Sequence, residues 1–258
     1  MVLRAKTVIP YLFEILHRVT VWLFTSKETT NFTYELERDN KCYLASVVAD
    51  ILNIEYNTAM VYIKEIEEDE ELKNHILNMT SKSELSFIAD KEVRFGRRIG
   101  WYIFARALKP KVIIETGVEK GLGACVLTAA LKWNKTEGFI GEYFGTDINP
   151  NAGYLLSGIY SDYGKILYGD SIQSLLKFND SIDLFINDSD HSSSYEAKEY
   201  EIIANKLTDK AVILGDNSHC TDELFKFSIK TNRHFIYFQE KPLKHWYPGA
   251  GIGISFTR

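Results

Sequence analysis

Two short acidic motifs carry the clearest chemistry in this sequence, and each closes an apolar run. The first is Ile182-Asp183-Leu184-Phe185-Ile186-Asn187-Asp188-Ser189-Asp190-His191, and the second is Ala211-Val212-Ile213-Leu214-Gly215-Asp216-Asn217-Ser218-His219. An apolar run of this length followed by turn residues reads as a buried parallel strand. Open α/β sheets bind ligands in the crevice beyond the carboxyl ends of such strands. Carboxylate and amide oxygens are hard ligands for a divalent cation. A histidine beside them titrates near neutral pH and can accept a proton. The pair of motifs therefore suggests a divalent-metal site with a histidine beside it. The plainer alternative is turn chemistry at Asp216-Asn217 and a His191 that satisfies a loop carbonyl. His219 carries less, since it can simply face solvent.

A second group of candidates lies upstream. Glu115-Thr116-Gly117-Val118-Glu119-Lys120-Gly121-Leu122-Gly123 follows an apolar run and precedes a helical pattern. Glycines there permit a tight turn and close approach of a ligand to backbone at a helix N-terminus. The spacing is GxxxGxG, which does not match the GxGxxG dinucleotide fingerprint and opposes a dehydrogenase. Glu115 suits the ammonium end of an amino-acid-like ligand. Asp147, at the end of the next strand, can accept both hydroxyls of a ribose. Asp170 and Ser171, after the third strand, can bond an adenine edge. Both aspartates can equally be helix caps.

The elements that must position these residues follow from periodicity. Val8 to Phe24, Cys42 to Asn53, Thr58 to Met79 and Glu92 to Leu108 read as helices, with Pro10 in a first helical turn and Arg94, Arg97 and Arg98 on one side of the last. The acidic run from Glu65 to Glu71 reads as a solvated face. From Lys111 onward, strands and helices alternate five times, which implies a parallel sheet with helices on both faces. Gly153 to Tyr160 reads as one of those helices. Two final strands, 234–238 and 252–256, are joined only by a loop and should pair antiparallel, making seven strands. The loop between them, Glu240 to Gly249, is expected to overhang the site with its aromatic and basic residues. The helical part spans 1–108 and the α/β part 109–258.

At this point the chain resembles class I S-adenosylmethionine-dependent methyltransferases. Glu115-x-Gly117-x-x-x-Gly121 is similar to their first motif, Asp147 to their ribose acid, and Gly169-Asp170-Ser171 to their adenine segment. Asp188-Ser189-Asp190-His191 and Asp216-Asn217 resemble the metal motifs of the catechol and caffeoyl-coenzyme A O-methyltransferases and of macrolide-sugar O-methyltransferases. The resemblance implies a Rossmann-like seven-stranded methyltransferase sheet with an antiparallel last strand and a helical N-terminal cap. It implies S-adenosyl-L-methionine bound by Glu115, Gly117, Gly121, Asp147, Asp170, Ser171 and Asp188. It also implies Mg²⁺ on Asp188, Asp216 and Asn217. His191 stands where the catechol type has a lysine; His191, with Asp188, is the expected catalytic pair, His191 acting either as base or only in positioning substrate. The expected reaction is methyl transfer to a hydroxyl of a small polar acceptor such as a sugar or a nucleotide-linked glycan precursor. The competing readings are a metal-independent enzyme using His191 alone and a non-catalytic nucleotide-binding scaffold.

Bulk properties bound the partners. The 258 residues carry a net charge of -5, so no electrostatic footprint for nucleic acid is expected. Three scattered cysteines, Cys42, Cys125 and Cys220, give neither a disulfide framework nor zinc spacing and fit a reducing cytoplasm. The first helix is amphipathic through Glu14, His17 and Arg18, and its charges argue against a signal peptide. It is expected to bury its apolar face against its own subunit or a sister subunit in a dimer, or else to touch a membrane surface with help from Arg4 and Lys6.

Overall fold

The structure is a computed structural model and describes residues 2–29, 33–216 and 218–258. Its centre is a seven-stranded sheet in the order β3-β2-β1-β4-β5-β7-β6. The strands are β1 (Val112–Thr116), β2 (Glu142–Asp147), β3 (Gly164–Tyr168), β4 (Ile182–Asn187), β5 (Leu207–Gly215), β6 (His234–Gln239) and β7 (Gly251–Phe256). Pairing is parallel from β3 to β5, while β7 runs antiparallel to both β5 and β6. The expected seven strands and antiparallel ending are both present.

Alternation along the strands explains the layers. Ile113, Leu184, Val212 and Leu214 join one core cluster, whereas Ile114, Phe185 and Ile213 join another on the opposite face. Successive side chains of a strand point to opposite faces, so a continuous apolar run supplies two cores at once. The first face is covered by α2 (Arg38–Leu52), α3 (Tyr56–Glu67), α5 (Arg98–Leu108) and α6 (Leu122–Thr136). The second face meets α7 (Ser171–Lys177), α8 (Ser193–Ile203) and α9 (Glu223–Lys230). The remaining helices are α1 (Val2–Thr25) and α4 (Glu70–Lys82).

Several helical expectations change. The single helix expected over 58–79 is two, broken at Glu68 and Asp69, because the Asp69 carboxylate accepts the Leu72 amide at 2.8 Å and caps α4. The acidic run there is not merely solvated: Glu65 accepts from the guanidinium of Arg106 at 2.6 Å and from Tyr102 at 2.5 Å. Helix α5 starts at Arg98 rather than Glu92, because the chain turns at Gly96 with φ of +52°. Arg94, Arg97 and Arg98 therefore share no helix face. Pro10 lies inside α1, which begins at Val2. Residues 153–155 form a turn, and a 3-10 turn over Gly158–Tyr163 replaces the expected helix.

Candidate active site

The order of strands reverses between β1 and β4, and the site lies at the carboxyl ends of that pair. The hydrogen-bond ladder continues one residue past the strands. The amide of Gly117 donates to Thr146, that of Asp188 to Thr116, and that of Asp216 to Asn187, each at 2.9 Å. These bonds fix Gly117, Asp188 and Asp216 abreast at the sheet's edge. Gly117 has φ of +83°, and a Cβ there would overlap the carbonyl oxygen of Asp188. A side chain is excluded twice, by conformation and by space.

A cavity of about 720 Å³ opens above these strand ends. Of the expected cofactor and catalytic residues, Gly117, Asp147, Asp170, Ser171, Asp188 and His191 line it, as does Arg97. Asp147 is already engaged: one carboxylate oxygen accepts the amides of Val118 (3.1 Å) and Glu119 (2.9 Å), the other that of Asn149 (2.8 Å). A carboxylate offers about four acceptor positions. One remains for a ligand, so Asp147 as it stands can take one hydroxyl, not both. Asp170 caps α7 through the Gln173 amide at 2.9 Å and also faces the cavity, so its two readings hold together. Beside it, Ser171 shares a hydrogen bond of 2.8 Å with the Tyr195 hydroxyl. No heavy atom lies within 4 Å of where a Cβ on Gly169 would be, so the floor there is open. These features fit a nucleoside-bearing ligand lying across the first three strand ends.

Two expected cofactor residues lie elsewhere. Glu115 is buried under the turn, 1 % exposed, where it accepts from the Tyr143 hydroxyl at 2.5 Å and abuts Trp101 across Gly123. Burial raises its carboxyl to about 8, against the Tyr143 hydrogen bond. Its alternating position on β1 turns it into the α5/α6 layer rather than upward, and it does not line the cavity. Gly121 sits at the N-cap of α6 and packs on Gly153, also away from the cavity.

The acidic pair has a partner that sequence spacing did not reveal. Arg97 reaches between the strand ends, its Nε 2.7 Å from Asp216 and its terminal nitrogen 3.6 Å from Asp188. Burial, and next the Asp216 carboxylate, push Asp188 well above the usual carboxylate range, against the pull of Arg97. Glu240 stands behind this group, bonded by the buried Tyr34 hydroxyl, and burial raises it to about 7 against the charge of Arg97. The cation at the centre of this acidic cluster is thus a guanidinium. Among the described residues no three His, Cys, Asp or Glu side chains form a group suited to a metal ion. Asn217, the third expected ligand, lies outside the described residues. With Arg97 in place, the described donor set does not fit Mg²⁺: a dication would enter beside a fixed positive charge at hydrogen-bond range.

His191 is at the exposed rim of the cavity. Desolvation against the wall lowers its pKa below the usual 6.5; Asp216 opposes this and Arg97 adds to it. His219 is lowered for the same first reason. The loop from Glu240 to Gly249 does not overhang this cavity. Its His245 and Trp246 pack instead on Trp22 of α1, with ring centroids 6.3 and 5.4 Å apart, and Tyr247 packs on Tyr34.

Glu199 went unnoticed in the sequence. It is fully buried on α8 and accepts from Ser189 (2.8 Å), Thr116 (3.2 Å), Asn187 and Ser171. One carboxylate thereby ties together the ends of β1 and β4 and the start of α7. The available signal was Tyr195, Glu196, Glu199 and Tyr200, which share one helical face although two are acids.

Residues 114–218 match the sequence profile of a family described as a methyltransferase domain. A putative O-methyltransferase from Klebsiella pneumoniae superposes with a TM-score of 0.57 at 14 % identity, over 76 % of this chain and 94 % of that one. The methyltransferase PaMTH1 from Podospora anserina, solved with SAH, gives 0.51 at 17 % identity, over 73 % and 88 %. The O-methyltransferase TomG from Streptomyces achromogenes, involved in tomaymycin synthesis and solved with SAM, gives 0.52 at 14 % identity, over 74 % and 90 %. The matched segment is thus similar to a methyltransferase domain, and it lies within a sheet of the methyltransferase fold. No curated protein matches it. The structural likenesses establish the methyltransferase fold, whose sheet order and antiparallel β7 this domain shares.

Proposed function

We propose that this methyltransferase domain transfers a methyl group to a hydroxyl oxygen of a small polar acceptor, a sugar or nucleotide-linked glycan precursor, with His191 as base. The observation that carries this reading is that His191 lines the same cavity as Gly117, Asp147, Asp170 and Ser171. S-adenosylmethionine, when bound, supplies the methyl group on a sulfonium. Gly117 lets it approach the backbone, Asp147 takes a ribose hydroxyl at its remaining acceptor position, and Asp170 and Ser171 border the adenine. His191, kept neutral by its lowered pKa, takes the acceptor's proton as the hydroxyl oxygen attacks. A volume of about 720 Å³ falls within the range of small-molecule sites and leaves room for an acceptor beside the cofactor.

The family resemblance leads one to expect Mg²⁺, but the Arg97 contacts favour a metal-independent reaction. The guanidinium sits beside Asp188 and Asp216. No step here is routed through a metal.

Calorimetry and turnover test the reading together. Asp147→Ala should weaken S-adenosylmethionine binding by about tenfold or more, through one lost hydroxyl bond and a loosened turn. His191→Gln should leave cofactor affinity within about threefold while lowering kcat by about 10²–10⁴. Dialysis against EDTA should leave turnover unchanged. Undiminished turnover in His191→Gln refutes the base, and loss of turnover on EDTA that Mg²⁺ restores refutes the metal-independent route.

A further inference from the structure

Helix α1 has no buried side chain. Its 24 residues span about 36 Å at the helical rise. Among the described residues, its last turns touch the body, through Trp22 against His245 and Trp246. Twelve large apolar residues of α1 are exposed, among them Leu3 (80 %), Phe13 (67 %), Leu16 (60 %) and Phe24 (85 %).

The distribution of these side chains decides what can cover them. At about 100° per residue, ten of the twelve, from Tyr11 through Leu12, Leu16, Ile9 and Phe13 to Phe24, sweep an arc of roughly 220°. A packed partner helix covers a stripe nearer 100° wide. A second copy of this chain would therefore leave about half of the arc in water. The remaining sector holds Glu14, His17 and Arg18 and, toward the two helix ends, Leu3 and Val21, with Arg4 and Lys6 at its edges. Glu14 and Arg18 are paired at 2.5 Å, one turn apart. In a spanning helix that pair would sit in hydrocarbon, whereas in an interfacial one it faces water. The charge on α1 is three cations (Arg4, Lys6, Arg18) against Glu14, on a chain whose net charge is -5. A cationic helix on an acidic protein is complementary to an anionic lipid surface.

We propose that α1 lies in the headgroup boundary of an anionic bilayer, apolar arc down, and tethers the methyltransferase domain to that surface. The proposal is independent of the acceptor and of the role of His191. Trp22 links the helix to the loop after β6, at the carboxyl end of the sheet, so the domain would dock with the side that bears its cavity toward the lipid.

The test is flotation of the full chain with phosphatidylcholine vesicles, with and without about one-third phosphatidylserine. Binding should be at least about tenfold tighter on the anionic vesicles and should be released by high salt. Leu12→Glu/Leu16→Glu should abolish it. Arg4→Glu/Lys6→Glu should weaken it about tenfold or more on anionic vesicles only. Both variants should keep the parent's S-adenosylmethionine affinity, since neither pair touches the body. Equal affinity for both vesicle types overturns the proposal, as does binding that resists salt and alkaline carbonate, which would mark a spanning helix. So does a dimer in sedimentation that Leu12→Glu/Leu16→Glu dissolves while no vesicle binding is seen.

Discussion

At the residue scale, the site turns on how Arg97, Asp188, Asp216 and His191 share charge. Burial favours a proton on Asp188, and the Arg97 guanidinium lies 2.7 Å from Asp216. Removing the guanidinium leaves two buried acids against each other, and breaking a buried pair costs about 3–5 kcal/mol. Arg97→Met should lose stability of that order in urea unfolding. It should recover part of it in millimolar Mg²⁺, while the parent gains nothing. A parent that is stabilised equally by Mg²⁺ would show that the arginine yields to a metal. The pH profile gives a second check. A base works only when neutral, and the pKa of His191 is shifted below its ordinary 6.5. The acid limb of kcat/KM should therefore fall below pH 6.5, with activity near its plateau at pH 7, and His191→Gln should flatten that limb. An unshifted or raised limb would mean that another group titrates.

At the element scale, α8 acts as a clamp. Glu199 joins β1, β4 and α7 through four hydroxyl and amide donors. Glu199→Ala strands those donors in a water-poor region, at about 1–3 kcal/mol for each that stays unpaired. An overall loss of about 3 kcal/mol or more in chemical unfolding is expected, together with weaker cofactor binding. Much of the scaffold was readable in advance, because buried strands announce themselves as apolar runs. The breaks at Gly96 and at Glu68-Asp69 were not, since helical periodicity continues through both. Arg97 was seen, but as one of three arginines on one side of a helix. Its true partners are some 90 and 120 residues further along the chain, a proximity that only sheet closure creates. Glu115 was misdirected for a simpler reason: its position in the alternating strand sends it below the sheet, and the motif alone does not say which way a side chain points.

At the scale of the whole molecule, the first 108 residues and the sheet meet in one apolar cluster, from Leu44 and Ile63 through Trp101 to Ile254. The loop after β6 belongs to this joint. His245 is 7 % exposed, its Nδ1 accepts the Tyr247 amide at 3.0 Å, and burial lowers its pKa to about 4. The sign follows from linkage. The unfolded chain protonates this ring near 6.5, the folded one only near 4, so stability declines as pH falls through that window. The loss should reach up to about 3 kcal/mol at pH 4. Denaturant midpoints at pH 7 and pH 4.5 should differ less in His245→Phe than in the parent; an identical difference would place the titration elsewhere.

The missing side chain at position 117 also limits how this domain can be remodelled. The turn after β1 rests directly on the main chain at Asp188, with no side chain to absorb a shift. The segment from 188 to 192 cannot be exchanged for that of another methyltransferase as a free-standing part. A graft altering the path of residue 188 must bring its own residues 116–118, or the cofactor side of the crevice deforms with the acceptor side. Leu85 and Arg98 also border the cavity and lie outside the 188–192 segment, so acceptor range should be easier to redirect there.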